Sequence, residues 1–110
     1  MAIYKIMRGP EWAALEAEGR TRGAPIDLRD GFVHLSTREQ VEDTGRLHFA
    51  GEAGLVLVAL DEGRLGAELR WEPSRGGALF PHLFRELRLD DVLWHRPLPW
   101  QDGAHGFAWA

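Results

Sequence analysis

A chain of 110 residues, 45% of them hydrophobic, is long enough for one domain around one core and too apolar to stay disordered. With 13 basic against 17 acidic residues the net charge is −4, which argues against non-specific binding to nucleic acid or an acidic membrane. No cysteine is present, so disulfide scaffolds, thiolate zinc sites, iron–sulfur clusters and thiol nucleophiles are excluded.

The opening residues contain no apolar run of the length a signal peptide or membrane span needs, and a soluble cytoplasmic protein is the expectation. Ala2 to Met7 reads as a first strand, with Ile3, Tyr4 and Ile6 as β-formers. Pro10 fits the first position of a helix running to about Glu18, with Trp12, Ala14 and Leu15 as its apolar face and Gly19 ending it. Residues 20–30, with Gly23, Pro25 and mixed charges, read as a loop. Phe32 to Leu35 is a short strand. At a period of two, Phe32, His34 and Ser36 share one face and Val33 and Leu35 the other. Ser36 with Glu39, or Thr37 with Gln40, forms a capping box that opens a second helix over Thr37 to Phe49, interrupted by Gly45.

Gly51 and Gly54 bracket a turn. Leu55 to Leu60 is apolar at every position and too short for an ordinary helix, the pattern of a strand buried on both faces. After a turn at 61–63, Leu69 to Pro73 alternates, placing Leu69 and Trp71 toward the core and Arg70 and Glu72 outward. Gly76 and Gly77 free the backbone before Leu79 to Phe84, and a short turn or helix follows around Leu87 to Asp91. Val92 to Leu98 is a last strand, whose Pro97 and following Pro99 imply that it lies at an edge or ends early. The sequence divides into a core of about 2–98 and a tail of 99–110 carrying Trp100, Phe107 and Trp109, either packed back or mobile. Two early helices and a strand-rich second half make this a single α+β domain.

Two stretches carry candidate chemistry. His34 stands two residues before Ser36 on one strand face, next to a helix start whose unpaired N–H groups suit an anion. The plain alternative is a half-buried histidine satisfied by the backbone, with Ser36 and Thr37 as helix caps; a capping hydroxyl still keeps a lone pair for a ligand. In the second stretch, Arg75-Gly76-Gly77 offers a guanidinium and bare backbone to an anionic group, or an ordinary glycine turn. Glu72 beside Arg70 reads as a surface ion pair or a site acid. Phe80, Pro81 and His82 place an aromatic ring and a second histidine together, where a base or nicotinamide ring finds a stacking surface, unless Phe80 is core. The five histidines (34, 48, 82, 95 and 105) lack zinc-ligand spacing, and no metal is assigned. The sequence contains no P-loop, no Gly-x-Ser-x-Gly elbow and no Gly-x-Gly-x-x-Gly.

The segments Asp-Gly-Phe-Val-His-Leu-Ser-Thr at 30–37 and Leu-Arg-Trp-Glu-Pro-Ser-Arg-Gly-Gly-Ala-Leu-Phe-Pro-His-Leu-Phe at 69–84 closely resemble the domain of unknown function 952 family of small bacterial proteins. The opening Ile-Tyr-Lys-Ile and the strand Leu-Val-Leu-Val-Ala-Leu extend the resemblance over nearly 2–98. It implies a fold like that of the ADP-ribosyltransferases, two early helices on a split, mostly antiparallel sheet around a cleft. It implies NAD or a related nucleotide as ligand, held by His34, Ser36 and Arg75, but no established activity. The late glutamate that supports transfer in such enzymes has only Glu72 and Glu86 as candidates here, and neither stands in a matching motif. His34 and His82 are the candidate catalytic residues; Ser36, Thr37, Glu72, Arg75, Gly76, Gly77 and Phe80 are the candidate ligand contacts. Three readings follow: a cleft for a nucleotide-like or phosphorylated small molecule with transferase activity, a non-enzymatic anion or metabolite binder, and an interaction domain using tryptophans near the C-terminus.

Overall fold

The computed structural model describes every residue except Ala108 and Ala110. The chain runs β1 (Ala2–Arg8), α1 (Gly9–Glu18), β2 (Arg20–Thr21), α2 (Pro25–Asp30), β3 (Val33–His34), α3 (Arg38–His48), β4 (Leu55–Asp61), α4 (Glu62–Leu65), β5 (Leu69–Pro73), β6 (Leu79–Leu83), β7 (Leu87–Arg88), β8 (Val92–Leu98), β9 (Trp100–Gln101) and β10 (Ala104–His105). Single 3₁₀ turns fill Gly66–Glu68, Arg75–Gly77 and Leu89–Asp91.

Two three-stranded antiparallel sheets organise this mixed α+β fold, in the orders β1-β4-β8 and β3-β6-β5. The continuous apolar run of β4 takes the central place in the first sheet, and proline-bearing β8 lies at its edge, where a missing N–H costs no ladder bond. Just past β3, Ser36 exchanges backbone hydrogen bonds of 2.7 and 2.8 Å with Tyr4 of β1, so the second sheet is tied to the edge of the first.

Both faces of β1 and β4 are covered. Ile3, Met7, Val58 and Leu60 pack with Trp12 and Leu15 of α1 and with Val33 and Leu83 of the second sheet. On the other face Tyr4, Ile6, Leu57 and Ala59 pack with Val41 of α3 and Phe107. Burying such aliphatic and aromatic side chains contributes roughly 1.5–3 kcal/mol each before the entropy of ordering is set against it. No helix among the described residues is long and apolar enough to cross a membrane.

Several expectations need correction. Residues 20–30 are no loop: they contain β2 and all of α2. Pro25 supplies a preset φ at the helix start, Asp27 accepts from the Ala24 N–H at 2.8 Å, and Gly31 closes the helix at φ 83°, a left-handed conformation that a side chain would strain. Ser36 does not cap α3. Its backbone is held by Tyr4, and its hydroxyl lies 3.0 Å from that of Thr44, so Thr37 occupies the cap position. The Gln40 side chain accepts from the Thr37 N–H at 3.1 Å and donates to the Leu79 carbonyl at 2.7 Å, fixing the helix start to β6.

Gly45 does not break α3. A Cβ there would stand 3.3 Å from His105 Nδ1 and from Phe107 Cζ, so the glycine is what admits the tail against the helix. The tail accordingly packs back: Phe107 is buried, and Trp109 donates its indole N–H to Glu42 at 2.9 Å and stands edge-on to Tyr4. Trp71 is 37% exposed rather than core, because β5 is an edge strand whose inner face extends past the covered interior. Ala14 is also exposed, leaving Trp12 and Leu15 as the buried face of α1.

Candidate functional site

Pairing register, more than sequence proximity, assembles the site. His34 of β3 lies opposite His82 of β6, which lies opposite Arg70 of β5, and residues directly opposite in a ladder share a face. At a period of two, Phe80 and Glu72 fall on that same face, while Val33, Leu83 and Leu69 point into the core. Phe32 joins the polar face, stacked on the His82 ring at 4.1 Å and 4.5 Å from that of His34. The two histidine rings stand edge to face, with centroids 5.5 Å apart.

Asp27 is the hub on one side. Its side chain is fully buried, and it accepts from Lys5 Nζ at 2.9 Å, the Ala24 N–H at 2.8 Å, the His34 N–H at 2.9 Å and His34 Nδ1 at 2.6 Å. Burial, the largest single influence, pushes this carboxyl's pKa up. The hydrogen bond from His34 and the charge of Lys5 together outweigh it and hold the pKa at about 2. Lys5 is itself buried in β1 and also donates to the His34 carbonyl at 3.1 Å, so the ammonium fixes both the carboxylate and the strand bearing the histidine.

The other ring nitrogen of His34, Nε2, lies 3.0 Å from Oδ2 of Asp30 at the end of α2. The hydrogen bond from Arg29 leads the influences that keep the Asp30 carboxyl below the usual carboxylate range. A neutral imidazole donates to one of these two carboxylates; only the doubly protonated ring donates to both. His34 therefore meets carboxylates where the sequence pattern placed a helix start.

The second histidine has a single acidic neighbour. Glu72 Oε1 lies 2.7 Å from His82 Nδ1, so Glu72 serves this ring rather than pairing with Arg70, whose guanidinium lies over Phe84. Arg75 reaches in from the turn between β5 and β6. It donates to the Thr44 hydroxyl at 3.2 Å, lies 3.5 Å from His48 Nε2, and covers the Phe80 ring at 4.9 Å, so Phe80 carries a guanidinium on its face.

These groups share one concavity of about 930 Å³. Of the residues singled out by sequence, His34, Ser36, Arg75, Phe80 and His82 line it. Glu72 reaches it through His82, whereas Thr37, Gly76 and Gly77 are off its wall. Lys5, Asp27 and Thr44 line it without having been singled out, and Asp30, at the end of the stretch read as a loop, lines it too. Among the described residues, no group of three or more histidines and carboxylates is placed to hold a metal ion. Chemically, the arrangement offers two carboxylate-oriented imidazoles for proton transfer and one guanidinium for an anion.

The chain is similar to protein CC0527 from Caulobacter crescentus. Against the crystal structure of that protein it is 46% identical over 96% of this chain and 94% of that one, with a TM-score of 0.92. Against its solution structure the identity is 45%, over 94% and 90% of the two chains, with a TM-score of 0.84. No curated protein matches the chain. Residues 6–95, which include both histidine–carboxylate pairs and Arg75, match the family model described as protein of unknown function (DUF952), and the chain belongs to that family.

Proposed function

We propose that the concavity is a cleft binding a phosphorylated, nucleotide-like small molecule related to NAD, on a fold like that of the ADP-ribosyltransferases. The observation that carries this reading is the state of Arg75. Its partners are a hydroxyl, an imidazole and an aromatic face, and among the described residues no carboxylate forms an ion pair with it. A half-buried guanidinium with its charge uncommitted is a ready fork for two anionic oxygens. The Ser36 and Thr44 hydroxyls stand beside it, and the volume of the concavity lies within the range of small-molecule sites.

Transferase activity is the second reading, favoured by the histidine–carboxylate pairs. Of the two late glutamates, Glu72 lies against His82, whereas Glu86 stands 3.8 Å from Arg20 in an ion pair away from the concavity. The tryptophans near the C-terminus weigh against the interaction-domain reading. Trp94 lies under Arg96 and against Tyr4, Trp100 meets His105 edge-on, and Trp109 is tied to Glu42.

Thermal unfolding with NAD, ADP-ribose, AMP and inorganic pyrophosphate tests the binding reading, since a ligand of the native state raises its midpoint. At least one of the four raises the midpoint of the intact protein, and Arg75→Ala removes that increase while leaving the unliganded midpoint nearly unchanged. No response to any of them, or an Arg75→Ala protein that fails to fold, would defeat the proposal.

A further inference from the structure

Resting on the nucleotide-binding reading above, the geometry points to a further activity at the same site: hydrolysis of a small nucleoside phosphodiester, with His82 as general base and His34 as general acid. The two rings are cross-strand neighbours, edge to face with centroids 5.5 Å apart, close enough to serve one small substrate.

Their proton inventories differ. Glu72 accepts at Nδ1 of His82, so that nitrogen carries the proton and Nε2 presents a lone pair. Among the described residues nothing hydrogen-bonds to that Nε2, and His82 is one of the residues lining the concavity. His34 has a carboxylate at each nitrogen, 2.6 and 3.0 Å away, and in its doubly protonated form donates to both. The bond to the buried Asp27 fixes the ring, leaving the Nε2 proton, now shared with exposed Asp30, as the one available to a leaving group. A base and an acid of the same chemical type, held side by side by one β-ladder, meet the positional requirement of paired proton transfer.

Arg75 selects the substrate class. Phe80 and His82 lie two residues apart on β6, so their side chains emerge on one face about 7 Å apart. The Arg75 guanidinium sits 4.9 Å above the Phe80 ring, so an anion forked onto it comes within reach of His82. A phosphodiester presents two non-bridging oxygens to such a fork while its bridging oxygens meet the two imidazoles. The protein's net charge of −4 and a concavity of about 930 Å³ fit a mononucleotide rather than a polymer.

In the step itself, His82 Nε2 takes a proton from water as the water oxygen forms a bond to phosphorus. The bond from phosphorus to a ribose oxygen breaks with its electron pair on that oxygen, which takes the Nε2 proton of His34. The products are a phosphate monoester and a free hydroxyl. Exchange with solvent then returns the His82 proton and restores that of His34.

Adenosine 2′,3′-cyclic monophosphate is the probe, with its monophosphate product followed by chromatography. Adenosine 3′-monophosphate, which offers no phosphodiester, reports binding alone through thermal unfolding. The intact protein hydrolyses the cyclic probe with a bell-shaped pH profile. His82→Gln and His34→Gln each lower kcat by about a hundredfold or more while the shift with the monophosphate persists. His82→Gln loses the acidic limb, because the base must be unprotonated to act; His34→Gln loses the alkaline limb, because the acid must be protonated. If buried His82→Gln fails to fold, Glu72→Gln replaces it and displaces the acidic limb, an effect a purely structural glutamate would not have. Stabilisation by the monophosphate without hydrolysis of the cyclic probe overturns this inference and leaves the binding reading intact. Neither stabilisation nor hydrolysis overturns this inference, the binding reading then standing or falling on its own four ligands, and turnover that survives both histidine substitutions overturns the assignment of base and acid.

Discussion

The two histidine–carboxylate pairs are built with opposite burial. In the first, the Asp27 side chain is wholly buried and His34 is 32% exposed; in the second, His82 is 6% exposed and Glu72 42%. A buried carboxylate demands a full set of donors, and Asp27 has them in Lys5, two backbone N–H groups and the His34 ring. A buried imidazole needs far less: His82 is covered by the Phe32 ring and oriented by one acceptor that remains in water. The first pair therefore ties together β1, α2 and β3, whereas the second orients a ring without holding the fold. The contrast predicts that similar chemistry on the two carboxylates has very different consequences.

The largest expected effect is that of Asp27→Ala. It strands the ammonium of Lys5, which is 7% exposed, and leaves two backbone N–H groups unpaired. Breaking a buried ion pair by removing one partner costs about 3–5 kcal/mol. Urea unfolding measures it as a drop in midpoint. Lys5→Met introduced together with Asp27→Ala recovers part of the loss, because the stranded charge goes with the lysine. If the double variant is no more stable than Asp27→Ala alone, the stranded ammonium is not the source of the cost.

A pH signature follows from the same hub. The Asp27 carboxyl titrates at about 2 in the folded protein against an ordinary value of 3.8, so the unfolded chain binds its proton first as pH falls. The stabilisation is fully present above about pH 4 and is lost as pH falls through the window from about 4 to about 2. The difference between the two values corresponds to roughly 2 kcal/mol. Unfolding midpoints between pH 7 and pH 2 show this loss in the parent protein and a smaller one in Asp27→Asn. Identical acid profiles for the two would remove Asp27 from its place at the centre of the first pair.

Much of the frame was legible in the sequence. The unbroken apolar run at 55–60 specified the central strand, Pro97 the edge, and the alternation at 32–36 the separation of His34 from Val33, because each signal is local. The hub was not legible. Lys5 sits in a strand that otherwise reads as apolar, and its inward placement makes sense only with Asp27 beside it, a contact set by tertiary packing. Six residues of α2 are too few to establish a helical period, and glycine, proline and charge around them mimic a loop, although Pro25 and Gly31 are proper start and stop signals. Ser36 shows the same limit. Its spacing to Glu39 satisfied the capping pattern, but two backbone bonds to Tyr4 hold it in a bridge just past β3. Trp71 followed the alternation, yet alternation says nothing about where an edge strand runs out of neighbours.

The smallest effect on stability belongs to Glu72→Gln, and it is the sharpest test of the comparison. The Glu72 carboxylate is 42% exposed and already solvated, so losing its charge costs less than about 1 kcal/mol. Its influence falls instead on the tautomer of His82. A carboxylate only accepts, which places the proton on Nδ1 at 2.7 Å, whereas a glutamine amide can turn its nitrogen toward the ring and donate. Nitrogen-15 spectra of the imidazoles distinguish the two: the parent shows His82 protonated at Nδ1, and Glu72→Gln shows a mixture or the other tautomer. His34 keeps its own pattern in that variant, because Asp27 is untouched. Should Glu72→Gln instead destabilise the protein as much as Asp27→Ala does, the two pairs are equivalent supports and their opposite burial has no consequence. A tautomer change without a stability change locates the difference where the geometry puts it: one carboxylate secures the chain, and the other sets which nitrogen of a buried ring carries the proton.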